Sequence, residues 1–230
     1  MPRPSRNLDL ALLAAGRELF PLAGCAGLSV RAVAERAGAN AGMFHYHFGS
    51  KDNFLRTLLQ QAYEEVFAGL AHAAAQEGGA VDRLRGALVA AAGLLVEHRH
   101  TFARVWMDAV AGEPVAAEFM KRNAPRHLGL LLELVRQGQH DGSLRALPPL
   151  QCVATLMGAA VLPVIFVAGL VEVALPAAQQ RQFAAQVMSP RAIDERVELA
   201  LAALRAAPAV ALRRRALPAP APAPARRTLR

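Results

Sequence analysis

Residues 29–51 gather side chains suited to a phosphate backbone and to base edges. Ser29 brings a hydroxyl, Arg31 and Lys51 bring cations, and Asn40 brings an amide that donates and accepts at once. A hydroxyl and a cation at a helix start can hold a phosphate. An amide can pair with N6 and N7 of adenine or meet a phosphate, and a small apolar residue such as Ala41 can pack on a thymine methyl. Such contacts need a rigid mount, and the spacing offers one. Ala34 is small enough for a close helix crossing, Gly38 allows a turn at positive φ, and Phe44 is a large anchor facing back into a core. Small, Gly and large apolar at these offsets fit a helix-turn-helix, and fit an ordinary helical hairpin as well.

The elements around this stretch read as helix almost throughout. Leu8, Leu12, Ala15 and Leu19 share one helical face, which Gly24 and Gly27 end. Ser29 caps a short helix over 29–36, and a second spans 40–46 with Asn40, Ala41 and Gly42 at its start. Ser50 caps a long helix with Asp52 in its first turn, where the helix dipole favours an acid. Val81, Leu84, Leu88, Ala91 and Leu95 predict the next helix, and 102–110 a separate one. A helix over 114–139 should be kinked or split at Pro125. Ser189-Pro190 opens a last helix with Ile193, Val197, Leu201 and Leu204 on its apolar stripe. The Ala/Pro alternation after 208 fits neither helix nor sheet and predicts an extended, mobile tail.

The string RAVAERAGANAGMFHYHFGSKDNFLRTLL closely resembles the DNA-binding domain of TetR/AcrR-type transcriptional repressors, over about residues 1–56. In that family the recognition helix runs into an aromatic stretch, then Phe, a small residue, Ser-Lys and an acid opening a long helix. Here those are Phe44 through Asp52. The resemblance implies an all-α fold. A three-helix DNA-binding head over 1–55 would precede a helical effector-binding and dimerisation domain over 56–207, with 208–230 as a tail. It implies a repressor that binds a near-palindromic double-stranded operator as a homodimer and lets go when a small-molecule effector binds. DNA contacts would fall on Ser29, Arg31, Asn40, Ala41, Gly42, His45, Tyr46, His47 and Lys51, with Tyr46 and His47 as the backbone-contacting aromatics. The recognition helix carries no Lys or Arg, so shape and phosphate contacts should carry much of the affinity. Phe44 and Phe48 should be core.

Residues 152–171 form an uncharged run as long as a membrane span. One reading is a bilayer-spanning helix in a membrane-associated protein. The other is a helix buried between its own domain and a twin, apolar all round. The resemblance favours the second, because the last two helices of these repressors form a four-helix dimer interface, here 152–171 and 193–204. No membrane partner is then expected. The middle helices should hold the effector pocket, with Phe102, Trp106, Met107, Phe119, Met120, His127, Met157 and Phe166 as lining candidates and His127 or His100 orienting one polar group.

Charge and composition agree with this outline. The net charge of +8 is terminal, for residues 208–230 hold six arginines and no acid. A basic end on a neutral apolar body suits a polyanion partner. Cys25 and Cys152 stand far apart, so neither a disulfide framework nor a thiolate metal cluster is expected, and a reducing cytoplasm fits. His45 and His47 diverge on a helix, as do His98 and His100, so no metal or other cofactor is expected. Scattered carboxylates and the lack of a nucleophile elbow argue against an enzyme. The N-terminus lacks the continuous apolar run of a signal peptide.

Overall fold

The computed structural model describes residues 7–206; the tail expected over 208–230 lies outside them. Among the described residues the fold is all-α. The head comprises α1 (Leu8–Gly27), α2 (Val30–Arg36) and α3 (Ala41–Phe48). The long α4 (Lys51–Ala74), α5 (Ala80–Val110) and α6 (Pro114–His140) follow, then α7 (Pro149–Ala160), α8 (Ala168–Ala174), α9 (Ala177–Phe183) and α10 (Pro190–Leu204).

Short polar side chains start the helices where the sequence placed them. Ser29, Asn40, Ser50 and Ser189 each accept the backbone N–H three residues on, which satisfies one orphan donor of the first turn. Three elements depart from expectation. The segments read as 81–95 and 102–110 are one helix, α5, because the polar run between them contains no breaker and its side chains pair outward. Arg99 reaches Glu172 at 3.1 Å and His98 reaches Glu65 at 3.0 Å. Pro125 lies inside α6 without ending or splitting it.

The apolar run 152–171 is not one regular helix. A π-helical turn over Pro163–Val167 separates α7 from α8. Pro163 has no N–H to give the carbonyl of Ala159 four residues back. Arg196 on α10 supplies the missing donor, its Nε lying 2.6 Å from that oxygen. A second guanidinium nitrogen donates to Val187 O at 2.8 Å, in another π-helical turn over Ala184–Met188. One arginine thus ties both irregular turns to the last helix.

Two apolar clusters organise the chain. The head's cluster holds Leu12, Phe20, Val33, Phe44 and Phe54 and continues into Val105, Val115 and Phe119 of α5 and α6. The body's cluster holds Leu84, Leu88, Leu131, Leu134, Leu156, Val164, Ile193, Val197 and Leu201. The expected boundary at 55/56 falls within α4, whose buried residues serve both clusters.

Candidate nucleic-acid interface and interior cavity

The head builds a rigid α2–turn–α3 unit. Gly38 sits at φ 68° in the turn, Ala34 is buried at the crossing, and the N–H of Ala39 closes on Ala34 O at 2.8 Å. Phe44 is fully buried, with Phe54 at 5.0 Å and Phe48 at 5.6 Å between ring centroids. This packing turns the rest of α3 outward. Ala41, Gly42, His45 and Tyr46 are exposed, as are Ser29, Arg31 and Asn40.

Several of these side chains already have partners. Asn40 Oδ1 accepts the N–H of Met43 at 3.0 Å, leaving the amide NH₂ as its free end. Ser29 Oγ accepts from Ala32 at 3.4 Å and keeps its proton to donate. Lys51 folds back to donate to Ala26 O at 2.8 Å, and His45 Nδ1 lies 3.0 Å from Gly49 O. His47 is half-buried, and its Nε2 is shielded without a hydrogen-bond partner. Arg31, by contrast, forms no ion pair among the described residues, whereas Arg36 is held by Glu18.

These geometries separate two kinds of contact. Arg31→Ala should weaken binding to every DNA sequence and lower the salt slope by about one counterion. Asn40→Ala should change a base preference by ~1–3 kcal/mol only if the amide leaves its cap to pair with a base. Binding titrations over a salt series and a base-substitution panel measure both effects. An unchanged panel for Asn40→Ala would assign Asn40 to capping alone.

Behind the head, α4, α5, α6 and the α7–π-turn segment enclose a cavity of about 350 Å³. Phe102, Trp106, Phe119, Met120, His127, Met157 and Phe166 all line it. Met107 does not. It is 60% exposed, since at about 100° per residue it stands about 140° around α5 from Phe102 and about 200° from Val105, on the far side from the lining face. His100 is also off the cavity, near Glu172 at 3.7 Å. Trp106 and Phe166 meet edge to face at 5.6 Å, with Trp106 partly exposed. Tyr63 and Asn123 add polar groups that the sequence reading missed. Tyr63 is one of the buried residues of α4, and Asn123 stands one turn before His127, the i, i+4 relation that could have revealed it. The Tyr63 hydroxyl donates to Asn123 O at 2.9 Å and lies 3.3 Å from His127 Nδ1. Burial pushes Tyr63 up to about 12 and holds His127 below the ordinary imidazole range.

A clasp joins head and body within two turns of that cavity. Asp108 on α5 is buried and accepts the N–H of Cys25 at 2.7 Å. Arg104, one turn earlier, donates to Asp108 at 2.9 Å and to Ala23 O at 3.3 Å. Gly24, between the two gripped peptides, takes φ 67° and breaks α1 there. Val105 and Trp106, on the same turn of α5, line the cavity. The Cys25 thiol is driven far up by burial, with Glu113 and Asp108 adding to the shift, so it is an inert core group.

Comparison with known proteins places this arrangement. Residues 12–58 match the family model for bacterial regulatory proteins of the tetR family. The HTH-type transcriptional repressor KstR2 of Mycobacterium tuberculosis (strain ATCC 25618 / H37Rv) is 27% identical over 144 residues, 61% of this chain and 70% of that protein. The structure of the ketosteroid transcriptional regulator KstR2 of Mycobacterium tuberculosis aligns with a TM-score of 0.64 at 18% identity. It covers 88% of this chain and 97% of its own. A TetR family transcription regulator from Marinobacter aquaeolei VT8 aligns with a TM-score of 0.64 at 17% identity, covering 87% and 97%. The family match opens at Leu12 and closes at Leu58, both sealed in the head's core, so the head is the part of the chain that matches the tetR family of bacterial regulatory proteins.

Proposed function

We propose that the protein is a cytoplasmic transcriptional repressor that binds a near-palindromic operator as a homodimer and is released by a small molecule in the α4–α7 cavity. One observation carries this reading. A single turn of α5 holds both the cavity wall, Val105 and Trp106, and the Arg104–Asp108 grip on the head. A ligand that shifts this turn therefore shifts the seat of α2 and α3. Two states of the head then differ in how well their recognition helices fit successive major grooves. The long α4 adds a second link, since it starts at the head with Ser50 and lines the cavity at Tyr63 and Phe67.

The homodimer rests on apolar surface. Leu162, Val167, Leu170 and Val173 on the α7–α8 rod are exposed, as is Leu199 on α10. Such a face suits a matching copy, and two heads explain a two-fold site. The stretch Pro149–Ala174 is also long and apolar enough to cross a membrane. The dimer reading is preferred because the rod packs Cys152, Leu156, Ala160 and Val164 into the body's own core. A thermal-shift screen of small molecules, followed by operator-release titration of the hits, tests the ligand response. Hits that raise the melting temperature should displace the operator. Ligands that fill the cavity and leave the complex intact would overturn the release mechanism.

A further inference from the structure

We propose, resting on the cavity as the effector site, that it selects an uncharged, largely apolar molecule bearing one hydroxyl or N–H group, which donates to Nε2 of His127. The walls come from aromatic and aliphatic side chains of four helical segments, among them Phe102, Trp106, Phe119 and Phe166. No Lys, Arg, Asp or Glu lines the cavity among the described residues. The nearby Arg126 is committed elsewhere. Its guanidinium lies over the Phe67 ring at 4.2 Å and binds Glu64 at 2.6 Å. A carboxylate or phosphate would enter this space without a counter-charge, at a steep desolvation cost.

The polar atoms of Asn123, Tyr63 and His127 can be accounted for one by one; the other polar group of the lining is the indole N–H of the partly exposed Trp106, a donor. Asn123 Nδ2 donates to Phe119 O at 3.0 Å and to Gln60 Oε1 at 3.1 Å. Its Oδ1 accepts from Gln60 and Arg126, both at 3.2 Å. The Tyr63 hydroxyl has one proton, which goes to Asn123 O. Toward His127 it can therefore only accept, so the ring proton sits on Nδ1. That leaves Nε2 as a lone-pair acceptor, with no hydrogen-bond partner among the described residues. Burial keeps the imidazole neutral, which preserves that lone pair. A ligand donor satisfies it, whereas a ketone or ether oxygen would face it lone pair to lone pair. At about 350 Å³ the cavity is at the small end of the ~300–1,000 Å³ range of ligand sites, so one compact ring system suits it.

The test is calorimetric titration at pH 7 of the full chain with three probes of one body: 2-naphthol, 2-methoxynaphthalene and 2-naphthoate. The naphthol should bind about tenfold or more tighter than the ether, because the ether leaves Nε2 unpaired, and the naphthoate should be weakest. His127→Phe should erase the naphthol preference while the ether still binds. His127→Gln, which restores an acceptor, should keep it and guards against a Phe variant that fails to fold. An ether or naphthoate that matches the naphthol, a preference that survives His127→Phe, or binding by none of the three would overturn the assignment. Naphthol that binds with this selectivity but leaves the operator complex intact would support the cavity chemistry and refute release. A molecule without any donor that binds the cavity and frees the operator would do the reverse.

Discussion

Leu170→Glu combined with Leu199→Glu should yield a monomer that keeps a folded head and loses tight operator binding. Both leucines are exposed in the single chain, at 66% and 74%, so a carboxylate at either position is solvated in the monomer and costs the fold little. In the dimer each would be buried without a partner, a cost of several kcal/mol. A lone head reads one half-site and forfeits the effective concentration that links two, so operator affinity should drop about 100-fold or more. Weak, salt-sensitive binding should survive through Arg31 and the other exposed groups of the head. Sedimentation with parallel operator titration measures both quantities. A double variant that stays dimeric and fully active would place the interface elsewhere.

Asp108→Ala should destabilise the chain by about 2–4 kcal/mol and blunt the response to any cavity ligand. The change strips the Cys25 N–H of its acceptor, and Cys25 is 1% exposed, so water cannot easily replace it. It also leaves the Arg104 guanidinium without its carboxylate, although Arg104 is partly solvated and recovers some of that loss. Asp108→Asn keeps an oxygen for the Cys25 N–H and should fall between the two. Urea unfolding measures the stability, and operator release against ligand concentration measures the coupling. An Asp108→Ala protein with an unchanged unfolding midpoint and an unchanged release curve would remove the clasp from the mechanism.

What the sequence made legible was local. Ser29, Asn40 and Ser50 act on an N–H three residues away, and Gly38 answers to its own φ, so residue type and spacing were enough. Residue type in the middle helices picked out Phe102, Trp106, Phe119 and Phe166 of the cavity wall, missed Tyr63 and Phe67 on α4, and erred at Met107, an apolar residue that stands off the inward face. Features joining distant segments were hidden. Asp108 meets a peptide 83 residues earlier, and nothing near it in the chain announces that partner. The break at Pro163 and its rescue by Arg196 depend on a contact across 37 residues, so the apolar run read as one helix. Lys51 looked like a free phosphate ligand because nothing local announces its bond to Ala26 O.

The most direct measurement is selection of duplex DNA from a random pool by the purified protein, with the stoichiometry of the winning complex determined by sedimentation. The expected result is an inverted repeat whose half-sites lie one helical turn or a multiple of it apart, bound by an even number of chains. Arg31→Ala should enrich the same repeat with uniformly weaker binding. Selection that yields only asymmetric or sequence-random duplexes, or a complex of one chain per site, would contradict a two-headed repressor.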